Sequence, residues 1–100
     1  MSTVRQCVRV SSELRELIPG FLANRRLDVA QMRDALARGD FDAVRRIGHA
    51  LRGAGGGYGF PEITRLGAEI ESRAKARDPG LAEPVTALAE YLDGVDVIFD

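Results

Sequence analysis

The chain has one cysteine, one histidine and no long apolar run, and each scarcity removes a class of function. Cys7 has no second cysteine with which to form an internal disulfide. One cysteine and one histidine also fall short of a three- or four-ligand zinc site, so no metal is expected on the chain. No apolar stretch approaches the ~18 residues of a membrane span and no signal peptide stands at the start, which makes the expected location cytoplasmic. Excess charge is missing too: 14 Lys and Arg against 15 Asp and Glu leave a net charge of −1. That balance argues against a nucleic-acid or membrane module working through overall positive charge. The glycine-rich run Gly53-Ala54-Gly55-Gly56-Gly57-Tyr58-Gly59 places Tyr58 where a dinucleotide fingerprint counted from Gly53 needs its third glycine. No strand precedes that run, and neither a Gly-Lys-Ser/Thr phosphate loop nor a Gly-x-Ser-x-Gly nucleophile motif occurs.

What the chain does contain is helical periodicity. One hundred residues with 45% apolar and 29% charged side chains suit one soluble domain with a modest core. A short alternating stretch, 4–10, holds Cys7 as a packing residue, and Ser11-Ser12-Glu13-Leu14 then supplies cap-like residues for a short turn that Pro19-Gly20 interrupts. Residues 1–20 thus form a short extra N-terminal helical element. Leu22, Val29, Met32 and Leu36 mark a helix over 21–38, with Gly39 as its stop. Asp40 caps a second helix over 41–57, whose end the glycines blur. Pro61 opens a third over 61–77, with Ile63, Leu66, Ile70 and Ala74 on one face. A fourth, over 81–98, carries Leu81, Val85, Leu88, Leu92 and Val95. The fold expected is all-α, an antiparallel four-helix bundle, with no parallel sheet.

Within the second helix, Phe41, Val44, Ile47 and Leu51 cluster in one arc and His49 falls about 155° from its centre. His49 therefore faces solvent. Arg45 and Arg46 lie one turn before it and Arg52 one turn after, with Gly53 completing the ring of neighbours. Cations on three sides disfavour the imidazolium and suit a dianionic phosphoryl group on the ring. A glycine inside a helix costs about 1 kcal/mol relative to alanine, and clearing space for an incoming acidic site is one reason for Gly53.

The residues His49-Ala50-Leu51-Arg52-Gly53, then Gly59, then Leu66-Gly67-Ala68-Glu69-Ile70-Glu71, resemble the histidine-containing phosphotransfer domain family of bacterial phosphorelays. The resemblance implies a helical bundle in which His49 accepts and donates a phosphoryl group between receiver-domain aspartates, without autonomous kinase or phosphatase activity. It gives Arg52 a phosphoryl-supporting position usually held by lysine, makes Gly53 the residue that avoids crowding the histidine, and sets Glu71 where it can orient the imidazole. Leu22, Ala50 and Tyr58 are candidate receiver contacts, with Arg45 and Arg46 steering toward an acidic partner. The implied partners are receiver domains of response regulators and hybrid kinases, met by a monomeric, freestanding domain. No cofactor is implied on this chain, and Mg2+ is expected on the receiver. The alternative is an interaction or kinase-regulating domain of the same shape whose histidine is never phosphorylated.

Overall fold

The computed structural model describes residues 6–100, so the first two residues of the alternating stretch 4–10 lie outside the described residues. Elements follow in the order β1 (Gln6–Val10), a 3-10 turn (Ser12–Leu14), α1 (Ile18–Ala37), α2 (Phe41–Tyr58), α3 (Pro61–Lys75), α4 (Ala82–Gly94) and β2 (Val95–Phe99). Four helices pack in sequence, and α4 returns onto α1. They share one core, in which Met32, Val44, Leu51, Phe60, Ile63, Ile70 and Leu88 are fully enclosed.

The ends of the chain differ from the all-helical expectation. β1 and β2 form a two-stranded parallel sheet in which Gln6 pairs with Val95 and Val10 with Phe99. The extra N-terminal element is therefore a strand followed by a single 3-10 turn, and the last helix stops at Gly94 rather than near residue 98. Val95-Asp96-Val97-Ile98-Phe99 is β-branched and aromatic, which favours a pleated strand once a glycine has broken the helix. Val95 continues the apolar spacing of α4, so periodicity alone extends the helix too far. Cys7 is exposed on β1 and is a free thiol, not a packing residue.

Pro19 and Gly20 also behave differently from the expectation. They lie in the first turn of α1, where a proline's missing N–H is no loss and its fixed φ suits the helix. The helix thus starts three residues earlier than the apolar spacing indicates.

Asp40 caps α2 by accepting a 3.0 Å hydrogen bond from the Ala43 N–H. The helix runs through its glycines to Tyr58 and closes on Gly59, whose φ of 87° only glycine adopts without strain. The N–H of Phe60 then returns 2.8 Å to the Gly55 carbonyl, and Pro61 starts α3 at once. A connection this short makes α2 and α3 neighbours.

That pair packs unusually closely. A Cβ added to Gly48 would lie 2.8 Å from the backbone nitrogen of Glu71, and one on Gly67 would lie 2.5 Å from the nitrogen of Arg52. At Gly55 a Cβ would meet the backbone nitrogen of Thr64 at 2.6 Å. Each step forward on α2 is matched by a step back on α3, so these two helices run antiparallel. Gly53 and Gly57, by contrast, face open space.

Two kinds of glycine therefore occur in the α2–α3 pair, and substitution separates them. Gly67→Ala should destabilise the domain by about 1–3 kcal/mol in urea unfolding, because backbone rather than a movable side chain fills the added volume. Gly53→Ala should be neutral or stabilising by up to about 1 kcal/mol. Equal effects at the two positions would show that the helices do not meet at Gly67.

Candidate functional site

His49 sits on the outer face of α2 with 61% of its side chain exposed, opposite the arc buried by Val44 and Leu51. Glu71 reaches it from α3. Its side chain is 10% exposed, and its Oε2 lies 2.9 Å from His49 Nδ1. The contact follows from the helix pairing: Gly48, directly before His49, abuts the backbone nitrogen of Glu71. Arg52 closes the group, its Nη1 lying 3.1 Å from Glu71 Oε1 and its Nη2 3.3 Å from His49 Nδ1.

One proton on Nδ1 cannot serve both neighbours. An ionised carboxylate only accepts and a guanidinium only donates, so Nδ1 either donates to Glu71 or accepts from Arg52. The shorter, charge-assisted contact decides for donation to Glu71, with Arg52 held by the other carboxylate oxygen. With the Nδ1 proton so placed, the neutral form of the ring carries its lone pair on Nε2, which has no hydrogen-bond partner among the described residues. The hydrogen bond from His49 is the largest cause holding the Glu71 carboxyl below its ordinary value of 4.5. The charges of Arg52 and Lys75 act in the same direction and burial opposes them.

Arg45 and Arg46 are not free cations. Both bind Asp42, Arg45 at 2.9 Å and Arg46 at 2.5 Å. The Asp42 carboxyl is held below its ordinary value, most strongly by the hydrogen bond from Arg45. Of the three arginines around His49 in the sequence, Arg52 is the one whose guanidinium reaches the ring. The spacing of Asp42 to Arg45 and Arg46, three and four residues, is the sequence signal for that pairing.

Among the candidate contacts, Ala50 is exposed beside His49, while Leu22 on α1 is half-buried against the core. Tyr58 is also half-buried and stacks on Phe21, with ring centroids 4.2 Å apart. It anchors α2 to α1 as well as presenting an edge. Gly53, one turn beyond His49, leaves that side of the ring clear. Reasoning from sequence missed Gly48 and Gly67, whose importance lies in what faces them across the helix pair. Among the described residues no cluster of His, Cys, Asp and Glu is arranged to hold a metal ion, and no helix is long and apolar enough to cross a membrane.

A family model described as the Hpt domain matches residues 16–97, a span covering the four helices and the first strand residues of β2. No curated protein and no solved structure matches the chain.

The lowered Glu71 titration fixes the sign of a pH effect. A carboxyl depressed on folding contributes stability that is present above its unfolded value and is lost as pH falls through the folded one. Glu71→Gln should therefore lower the urea midpoint near pH 6 and lower it less at an acid pH below the folded Glu71 titration, where the wild-type carboxylate has also been neutralised. A deficit of the same size at both pH values would mean that Glu71 contributes no charge-dependent stability.

Proposed function

Because this chain belongs to the Hpt domain family, whose members are phosphocarriers that engage receiver domains in two-component systems, we propose that it relays a phosphoryl group between receiver aspartates through His49. The observation that carries the reading is the 2.9 Å contact of His49 Nδ1 with the buried Glu71. A lone exposed histidine has many uses, whereas one whose Nδ1 is fixed by a carboxylate presents Nε2 as a nucleophile of defined tautomer and direction.

In the transfer step the Nε2 lone pair attacks the phosphorus of an aspartyl phosphate on the receiver. The nitrogen–phosphorus bond forms as the phosphorus–oxygen bond to the aspartate breaks, and the carboxylate leaves with the electron pair. The Nδ1 proton stays between the ring and Glu71, whose negative charge offsets the positive charge the ring acquires. Arg52 lies at the Nδ1 edge of the ring, and its long, half-exposed side chain turns toward Nε2 to donate to the phosphoryl oxygens when they arrive. Donation to a second receiver reverses these movements. Mg2+ belongs to the receiver's own site in this scheme, and the Hpt chain, folded as an antiparallel bundle, brings the nucleophile and the docking face.

Gly53 suits that approach. Its backbone is exposed one turn from His49 with nothing among the described residues requiring a glycine, so the missing Cβ benefits a partner, not the fold. Ala50 is small for the same reason.

A phosphorylated receiver should label the chain with phosphate that is acid-labile and base-stable, and His49→Gln should abolish the label. Retained label in that variant, or none in the wild type with any receiver, sinks the reading. Arg52→Ala should slow transfer by about tenfold while leaving the helical circular-dichroism signal unchanged. Loss of the helical signal would make Arg52 structural instead.

A further inference from the structure

Two turns from His49, at the start of α2 and the end of α3, Phe41, Asp42, Arg45, Ala74, Lys75 and Arg77 line an open depression of ≈ 300 Å³. It shares the histidine's face. At 100° per residue Asp42 lies about 20° and Arg45 about 40° from His49 around α2, and Lys75 lies one turn beyond Glu71 on α3. Its charge is unbalanced. Asp42 is already bound by Arg45 and Arg46, and Glu71 by His49 and Arg52, whereas Lys75 and Arg77 have no ion pair among the described residues. Asp78, the next carboxylate along, interacts with Arg73 and accepts from the Gly80 N–H. Most of the described arginines have acidic partners, so two unpaired cations at one depression stand out.

Arg77 adds an independent observation. Its φ is 53°, the left-handed region in which a helix normally ends on glycine, and Arg77 is the one non-glycine residue in that region among those described. An arginine there carries backbone strain that a glycine would not. Its guanidinium lies over the Phe41 ring, 5.3 Å from the centroid, which holds the charge at the rim of the depression. Lys75 and Arg77 also complement the negative end of the α3 dipole, but a glycine at residue 77 with Lys75 and Arg73 in the last turn would achieve that without strain.

We infer that this depression is a second docking point, in which Lys75 and Arg77 receive a carboxylate-bearing segment of the receiver bound over His49. The inference rests on the phosphotransfer reading for the identity of the partner. Phe41 is eight residues from His49, about 12 Å along the helix, while a standard interface of about 800 Å² per partner extends roughly 16 Å from its centre. A receiver centred on His49 therefore covers the depression. Arg45 and Arg46 share the one Asp42 carboxylate, whereas Lys75 and Arg77 have none, so these two are the cations of this face most open to a partner's carboxylate.

The test combines Lys75→Glu with Arg77→Gly, the second of which relieves the backbone strain and so guards against unfolding. In phosphotransfer from a phosphorylated receiver, the double variant should raise the receiver's KM roughly fivefold and flatten its salt dependence, with the rate at saturating receiver unchanged. An unchanged KM overturns the inference, as does a loss confined to the saturated rate. A second arm needs no transfer: titrating the isotope-labelled chain with a hexaglutamate peptide should shift the amide signals of residues 41–45 and 75–77. That response should persist in His49→Gln and vanish in the double variant. No shift there, or a stronger one from inorganic phosphate than from the peptide, contradicts a carboxylate-docking site. A failure of phosphotransfer with this peptide response intact counts against the relay and not against the depression.

Discussion

The backbones of α2 and α3 meet at Gly48, Gly55 and Gly67 with no room for a Cβ on any of the three. This approach sets where Glu71 sits relative to His49. A glutamate on a neighbouring helix at ordinary spacing reaches an exposed histidine only by extending through solvent. Here its backbone nitrogen is already against Gly48, so the side chain remains 10% exposed and still meets Nδ1 at 2.9 Å. The short connection through Gly59 and Phe60 fixes the register of the pair, and Asp40 fixes the start of α2. Each of these local devices serves one relationship, that of residue 49 to residue 71.

Charge around the histidine is organised in pairs by the same geometry. Asp42 occupies Arg45 and Arg46 one and two turns below, and Glu71 engages both His49 and Arg52. The neighbourhood sets two carboxylates against three arginines, so Arg52 acts on the ring within a network rather than as an isolated cation. Pairing also tethers its long side chain next to the imidazole, which lowers the entropy lost when it meets an anion. The cations left over, Lys75 and Arg77, lie at the edge of this face.

Much of this arrangement is legible in the sequence. The apolar spacing of Val44 and Leu51, of Ile63, Leu66, Ile70 and Ala74, and of Val85, Leu88 and Leu92 identifies the buried faces of α2, α3 and α4, and it places His49 outward. Glu71 is different: helical periodicity puts it near the partner helix, but its contact depends on how closely two glycines let the helices approach. A period carries no distance. The termini fail for another reason. Val95 fits the helical face of α4 and the inward face of a strand equally well, and the choice is made by pairing with β1 some 90 positions away in sequence. Parallel pairing of chain ends leaves no local signature. Pro19 is ambiguous in the same manner, since a proline that stops one helix also starts another.

The central claim is that Glu71 holds the proton on Nδ1 and thereby commits Nε2 to the phosphoryl group. Long-range nitrogen–proton NMR of the histidine ring, recorded before and after phosphorylation by a receiver, tests it directly. The account predicts that the free protein carries its ring proton on Nδ1 and that the phosphorylated protein carries phosphorus on Nε2. A free ring protonated on Nε2, or phosphorus found on Nδ1, would contradict it.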